Sequence, residues 1–252
     1  LSACESELEL TSPSELTTAG FWDTEEGAKT AHTGMFANLR SSAGNLWLLG
    51  EMRSDIWGGR TYESPSNESL IESNITVATA PFGGWAGLYT RIHRVNDFII
   101  NVPNITFNDA SEKKHLLGQA YGLRALYYYT LLKTWGDVPI ILEPFTDVDP
   151  ANLSRIRSPK NEVMALKSDL EASLTSFGSD GSYWESSKVF WSKAATLTLK
   201  GEVFIWSGNL LGGGAADFTV AKTALQQVAT LGVSLESSIS NLWGVSNENN
   251  SE

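Results

Sequence analysis

A single cysteine, Cys4, stands in this chain of 252 residues, so no disulfide can form within it. Long apolar runs are also lacking, and none approaches the about 20 residues that a membrane-spanning helix needs. His32, His93 and His115 are too scattered along the sequence to give the spacing of a tight metal site. Ordinary packing must therefore hold the fold, and no metal or other cofactor is expected.

Positive charge is in short supply. The chain has 18 Lys and Arg against 29 Asp and Glu, which gives a net charge of −11, and the cations form no stripe along the sequence. A protein that binds the phosphate backbone needs a basic footprint, so a nucleic-acid partner is not expected.

Familiar catalytic motifs are missing as well. Gly212-Gly213-Gly214 lacks the Gly-Lys-Ser/Thr that completes a phosphate-binding loop, so it predicts a flexible connector between helices. No Gly-x-Ser-x-Gly elbow occurs. Carboxylates are plentiful, and a glycosidase needs only two that face each other. The sequence leaves that pairing open, although no motif points to it.

Aromatic residues, by contrast, are abundant. Nine Trp, seven Tyr and ten Phe make up 10% of a chain that is 42% hydrophobic. This content suffices for one large domain or two small ones with a real core, and most rings should be buried there. A minority could stand exposed as platforms for flat apolar ligand faces such as sugar rings.

The first four residues, Leu1-Ser2-Ala3-Cys4, have the form of a bacterial lipobox. We expect Cys4 to become the acylated N-terminus and to anchor the protein in a membrane, with a cysteine of no particular role as the alternative. Residues 5–20 are acidic and rich in Ser and Thr, which predicts a flexible tether. Because no Met comes first, we expect the chain to start partway through a longer reading frame.

Apolar residues recur at helical spacing through most of the chain after residue 20. Asp23 or Thr24 should cap a first helix, and Asp109 should cap the clearest one, with Glu112 completing a capping box. Ser158-Pro159 predicts another start, with Ser as the cap and Pro at the first helical position. The helices expected after the first span 82–100, 111–135, 159–177, 192–207 and 217–231.

Two stretches depart from this period. Residues 41–80 are rich in Gly, Ser, Asn and Thr, which predicts a long irregular excursion, and such loops in compact domains are often functional. Residues 138–142 are the one stretch that hints at a strand.

The predicted helices fall into pairs: 82–100 with 111–135, 159–177 with 192–207, and 217–231 with an element beyond. Helix pairs that cannot each close a core stack as a solenoid of the tetratricopeptide kind. The predicted fold class is therefore mainly α. It is an α-α superhelix of tetratricopeptide-like hairpins with long irregular loops, in one helical domain over 21–252 that follows the lipobox and tether of 1–20.

A series of motifs along the chain points to one protein family. The strongest is Arg124-Ala125-Leu126-Tyr127-Tyr128-Tyr129-x2-Leu132-x2-Trp135-Gly136-Asp137-Val138-Pro139. The others are Phe21-Trp22-Asp23-Thr24-Glu25-Glu26, Glu51-Met52-Arg53-Ser54-Asp55, Trp85-x3-Tyr89-x2-Ile92-x3-Asn96, Arg157-Ser158-Pro159-x2-Glu162-Val163, Asp169-Leu170-Glu171-Ala172 and Asn247-Glu248-Asn249-Asn250-Ser251-Glu252. In order and spacing they resemble the N-terminal half of SusD/RagB outer-membrane nutrient-binding lipoproteins.

The resemblance implies a function that composition could not. Proteins of this family are lipid-anchored at the extracellular face of the outer membrane, where they cap a SusC-like, TonB-dependent transporter barrel. They bind oligosaccharides, or peptides in some branches, pass them to the transporter and catalyse nothing. The helices of this half would face the transporter, the glycan site would lie on the loop-rich outer face, and the second half would carry much of that site.

The irregular excursion offers the stacking faces and planar hydrogen-bonding groups that sugar capture needs, on Arg53, Asp55, Trp57, Arg60, Tyr62 and Asn67. The resemblance implies that Asp55 and Arg60 lie near the glycan. Trp57 and Tyr62 are stacking candidates from composition. The alternatives are a local salt bridge between Arg53 and Asp55, and a Trp57 ring that fills the core.

Arg124, Trp135 and Asp137 belong to the strongest motif, but we expect them to be structural. A buried Arg must be paired, and Trp135-Gly136 closes a helix end. The leading hypothesis is thus a surface glycan-binding protein. A tetratricopeptide-type interaction scaffold and a surface glycoside hydrolase are the alternatives.

Overall fold

A computed structural model describes residues 18–54, 65–76, 78, 84–145, 156–164 and 166–242, and these are mainly helical, as predicted. The α-helices, in chain order, are α1 Thr18–Phe21, α2 Glu25–Glu51, α3 Pro65–Ile71, α4 Ala86–Asn101, α5 Ala110–Trp135, α6 Lys160–Val163, α7 Leu166–Phe177, α8 Lys193–Leu210, α9 Gly214–Val228 and α10 Ile239–Leu242. Residues 18–20 of the expected tether thus already belong to a helix. In the described part of the chain, no helix combines the length and apolar character needed to cross a bilayer.

Helix α2 starts as predicted but runs further. The Thr24 hydroxyl accepts a hydrogen bond from Gly27 N at 3.1 Å, which caps the helix. The prediction of an irregular excursion over 41–80 is wrong for two segments. Residues 41–51 continue α2, and Pro65–Ile71 form α3. Leu46 packs against the main core, so tertiary burial overrides the low helix propensity of the Ser, Gly and Asn around it.

Helix α5 matches its predicted span to within one residue, whereas α4 begins at Ala86 rather than at 82. The two helices pack against each other. Asp109 caps α5, with its Oδ1 accepting from Ser111 N at 2.7 Å. Glu112 does not complete the expected capping box, because its carboxylate pairs with Lys29 Nζ at 2.6 Å. Most of α5 is buried on all sides, and Gly136 ends it with φ at +75°, a conformation that suits glycine.

The helix expected over 159–177 is broken. It divides into α6 and α7, and Pro159 is the N-cap of α6 rather than its first helical residue. Ser158 does not cap it, because Ser158 lies one position before the N-cap residue Pro159. Its main-chain N donates to Val138 O at 3.0 Å in an isolated antiparallel bridge. The Asp137 carboxylate takes over the cap by accepting from Lys160 N at 3.1 Å. That bridge is also all that forms of the strand suggested for 138–142, within the described residues.

The helices stack in the order α2, α4, α5, α7, α8, α9. The predicted pairing of 82–100 with 111–135 is confirmed as α4 with α5. Helices α7 and α8 also touch, but the larger contact of α7 is with α5. The partner of the last long helix is α8 rather than an element beyond it, which corrects the third expected pair.

Glycines let α8 and α9 approach closely. A Cβ added at Gly201 would lie 2.6 Å from the Leu225 side chain, and one at Gly208 would lie 2.5 Å from the Phe218 ring. Ala221 and Ala224 are buried on the facing side of α9. Small residues on both helices therefore allow α8 and α9 to pack at a short distance from each other.

Candidate functional site

The four predicted carbohydrate-binding residues, Asp55, Trp57, Arg60 and Tyr62, lie outside the described residues, as does Cys4. The described flanks of that stretch are well anchored. Met52 follows α2 and is 2% exposed, and Leu70 of α3 is 1% exposed. The alternative of a salt bridge between Arg53 and Asp55 also involves a residue outside the described part of the chain. The candidates therefore stay a prediction.

The described part of the chain does form a polar cleft that the sequence did not predict. It lies between the first two turns of α5 and the connection from α7 to α8, has a volume of about 300 Å³ and is called the α5 cleft below. Its lining residues are Asp109, Ser111, Glu112, His115, Asp180, Ser182, Tyr183, Trp184 and Glu185.

A histidine–carboxylate contact joins the two walls of the α5 cleft. His115 Nδ1 lies 2.9 Å from Asp180 Oδ2, and Ser182 N donates to Asp180 Oδ1 at 2.8 Å. Burial raises the pKa of Asp180, but hydrogen bonds from Ser182 and His115 outweigh it and hold the pKa at about 2. Asp180 is therefore a fixed anion at neutral pH that ties the connection to α5.

Aromatic rings also line the α5 cleft. Trp184 and Tyr183 are half-buried, and the Trp184 centroid lies 5.7 Å from that of His115. Glu185 and Ser186 both have positive φ, at +50° and +56°, so the connection turns sharply there. Carboxylate oxygens that accept from hydroxyls, beside half-exposed rings, are the groups that sugars need.

Sequence reasoning missed this cleft because its walls are 65 residues apart at the His115–Asp180 contact. The run from Ser182 to Glu185, polar and aromatic between two predicted helices, was the available signal. The sequence of this run does not indicate which residues of α5 it contacts.

His32 is a core histidine. Its Nε2 lies 3.0 Å from Gln119 Oε1, and its ring stacks on Phe190 at 5.5 Å between centroids. Burial lowers the pKa of His32 to about 4, despite the Gln119 hydrogen bond that raises it. His32 is therefore neutral at physiological pH.

Among the residues that the structure describes, no group of three or more His, Cys, Asp and Glu could hold a metal ion.

Arg124 is structural, as predicted. Its Nε and Nη2 donate to the two carboxylate oxygens of Asp169 at 2.8 and 2.7 Å, and its Nη1 donates to Asn96 Oδ1 at 2.9 Å. Of the neighbouring motif residues, Trp135 makes an edge contact with Trp85 and Asp137 caps α6. All three therefore hold the fold together.

Side chains of α4 and α5 also bind the main chain of the stretch after α5, and we call this set of bonds the backbone clamp. Tyr89 Oη donates to Pro139 O at 2.6 Å, and Tyr128 Oη donates to Ile141 O at 2.7 Å. Tyr128 Oη also accepts from Ile141 N at 2.7 Å, and Asn96 Nδ2 donates to Ile141 O at 3.0 Å. The clamp thus fixes an extended stretch without a sheet.

A family model described as "Starch-binding associating with outer membrane" matches residues 8–200 of the chain. The chain belongs to this SusD-like family. The family resemblance stated from the motifs is therefore confirmed. In the SusD-like fold, helices stack in a tetratricopeptide-like manner, as they do here.

Individual relatives agree with this membership. SusD-like protein P38 of Formosa agariphila is 30% identical over 213 residues, which are 82% of this chain and 40% of that protein. The solved structure of NanU from B. fragilis aligns with a TM-score of 0.86 at 37% identity, over 96% of this chain and 49% of NanU. A SusD superfamily protein from Bacteroides vulgatus aligns with a TM-score of 0.83 at 34% identity, over 92% and 48%. The chain thus spans about half the length of these relatives or less.

Proposed function

We propose that this chain is part of a surface glycan-binding protein that captures oligosaccharides and delivers them to a TonB-dependent, SusC-like transporter in the outer membrane. The observation that carries the proposal is the family match over residues 8–200, with its starch-binding, outer-membrane description. The protein binds its ligand without cleaving it, and Cys4 carries the lipid that holds it at the extracellular face.

The described structure supports this function through its scaffold and its surface. The helices pack against one another, and the α5 cleft presents carboxylates and half-exposed rings beside them. A cleft of about 300 Å³ has the volume of a small ligand site and could hold one or two sugar units.

Asp55, Trp57, Arg60 and Tyr62 are the residues to which we assign ligand contact. Asp55 and Arg60 would hydrogen-bond to sugar hydroxyls, and Trp57 and Tyr62 would stack on sugar rings. They follow Met52, which is buried.

Calorimetric titration of the full-length protein with maltohexaose and laminarihexaose tests binding, and chromatography of the same mixtures tests cleavage. We expect heat of binding with at least one glycan and no shortened product after long incubation. Product release would instead favour a glycoside hydrolase. Tight transporter binding without affinity for any glycan or peptide would favour an interaction scaffold.

Trp57→Ala tests the assigned site. If the ring stacks on sugar, its loss should weaken glycan binding by about 1–3 kcal/mol, by analogy with base–aromatic stacking. Phe218→Ala is the control, because Phe218 is a 41%-exposed aromatic residue on α9. A folded Trp57→Ala protein with unchanged affinity would remove Trp57 from the site.

A further inference from the structure

The connection from α7 to α8 carries side-chain groups that the fold itself does not use. Within the described part of the chain, the following groups make no hydrogen bond or ion pair: the hydroxyls of Ser182 and Tyr183, Nε1 of Trp184 and the carboxylate of Glu185. All of these residues line the α5 cleft. The hydroxyls and the indole N–H can donate hydrogen bonds, and the carboxylate can accept them. The cleft therefore offers donors and a charged acceptor side by side.

The facing wall, on α5, is also only partly satisfied by the protein. The Glu112 carboxylate binds Lys29 Nζ through Oε1 at 2.6 Å, and its Oε2 has no partner among the described residues. His115 is 4% exposed and contacts Asp180 through Nδ1, but its Nε2 is buried without a hydrogen-bond partner in the described part of the chain. Unfilled hydrogen-bonding capacity thus lies on both walls of the cleft.

Protein contacts hold the two rings of the cleft in place. The centroid of the Trp184 ring lies 5.6 Å from that of His32 and 5.7 Å from that of His115, and the residue stays half-buried. Lys188 Nζ lies 5.5 Å from the centre of the Tyr183 ring, so a cation already faces that ring and the hydroxyl is the group left for a ligand. Side chains that are ordered beforehand lose less conformational entropy when a ligand binds.

We propose that the α5 cleft is a glycan subsite for one or two sugar units, in addition to the contacts assigned to Asp55, Trp57, Arg60 and Tyr62. The inference rests on the proposed function and adds a second contact region to it. A sugar hydroxyl both donates and accepts, so it matches a cleft that contains donors and acceptors. An ammonium group could use only the acceptors and would leave the indole N–H of the cleft without a partner.

Within the subsite, the free groups of the connection contact the sugar. The Glu185 carboxylate accepts from sugar hydroxyls, and such charge-assisted bonds are stronger than neutral ones. The Tyr183 hydroxyl and Trp184 Nε1 donate to sugar oxygens. Because Tyr183 Oη and the Glu185 carboxylate have no partner within the described protein, their loss should weaken binding without weakening the fold.

The test is calorimetric titration of the full-length protein with maltohexaose and laminarihexaose. The cleft variant Tyr183→Phe, Glu185→Gln removes one hydroxyl and one negative charge with little change in shape. Its matched control is Tyr121→Phe, Glu26→Gln, which makes the same changes at a half-buried Tyr of α5 and an exposed Glu of α2, outside the described lining of the cleft. We expect the cleft variant to bind the glycan about tenfold more weakly and the control to stay within about twofold of the parent, with equal thermal stability.

A third variant checks that the cleft acts beside the assigned residues. When the cleft variant is combined with Trp57→Ala, the two losses of affinity should add, because separate contacts contribute independently. A combined variant that binds as well as Trp57→Ala alone would overturn the second contact region.

The outcomes separate this inference from the proposed function. A cleft variant that binds glycan as tightly as its control would overturn the subsite and leave glycan capture through the assigned residues intact. If neither glycan binds the parent protein, the proposed function fails and the inference fails with it.

Discussion

Arg124 and Asp169 form a two-pronged ion pair inside the helical array, with Nε–Oδ2 and Nη2–Oδ1 distances of 2.8 and 2.7 Å. Each side chain is only 8% exposed, and the pair joins α5 to α7. A buried charge that loses its partner is costly, so the two residues must be kept or replaced together.

Arg124→Ala should lower the free energy of unfolding by about 3–5 kcal/mol, because it leaves the Asp169 carboxylate buried and unpaired. Urea denaturation followed by circular dichroism measures this loss. The double variant Arg124→Met, Asp169→Leu should be more stable than Arg124→Ala, since no lone charge remains. A loss below about 1 kcal/mol in the single variant would contradict the burial of this pair.

The neutral His32 predicts a pH dependence of stability. Its pKa of about 4 in the folded protein lies below the ordinary value of 6.5, so the unfolded chain binds more protons between these values. The stabilisation is therefore complete above pH 6.5 and is lost as the pH falls toward 4. We expect a loss of about 2 kcal/mol between pH 7 and pH 4.5 from this residue.

The variant His32→Gln isolates that contribution, because Gln keeps hydrogen-bonding capacity beside Gln119 without titrating. Urea denaturation of both proteins at the two pH values gives the comparison. Equal pH dependence in the two proteins would show that His32 is not buried in its neutral form.

Two glycine-to-alanine changes in helices should have opposite effects. A Cβ at Gly122 of α5 would lie 2.0 Å from Trp191 Nε1, so Gly122→Ala must displace that ring and should cost about 1–3 kcal/mol. At Gly34 of α2 a Cβ meets nothing within 4 Å. Gly34→Ala should therefore stabilise the protein by up to about 1 kcal/mol through helix propensity.

Thermal unfolding of these two variants beside the parent protein provides the measurement. The Trp191 indole donates to Thr196 Oγ1 at 2.8 Å, so its fluorescence should change in Gly122→Ala as well. Stabilisation by both changes would mean that Trp191 does not pack on α5.

Met52 should support ligand binding from a distance. Met52→Ala and Met164→Ala both truncate buried methionines, 2% and 6% exposed, and each should cost about 2–5 kcal/mol of stability. Only Met52 stands directly before the assigned glycan-contacting residues. Calorimetry with the bound glycan, at a temperature where circular dichroism shows both variants folded, should find weaker binding in Met52→Ala alone. Equal glycan affinities of Met52→Ala and Met164→Ala would indicate that the stretch after α2 is not part of the ligand site.

Periodic apolar positions were enough to predict the helices that pack against the core. Helix α5 is the clearest case, since its cap at Asp109 and its end at Gly136 are local signals that the structure reproduces. The Ser, Gly and Asn residues of 41–51 gave the opposite signal, and packing of Leu46 overrode it. Local chemistry thus predicts elements well where it agrees with tertiary burial.

Partners distant in sequence were harder to predict. That Arg124 needs an anion follows from its burial among apolar residues, but nothing local selects Asp169, 45 positions away. The same holds for His115 and Asp180, whose contact creates the α5 cleft. The main-chain contact of Ser158 also depends on a distant residue, because Ser158 N donates to Val138 O.

The backbone clamp has a consequence for how molecules of this protein meet one another. An extended stretch with unpaired main-chain groups can template a strand from another molecule and seed aggregation. Here the Pro139 and Ile141 carbonyls and the Ile141 amide are taken by Tyr89, Asn96 and Tyr128. These side chains therefore occupy the main-chain groups through which a strand of another molecule could pair with this stretch.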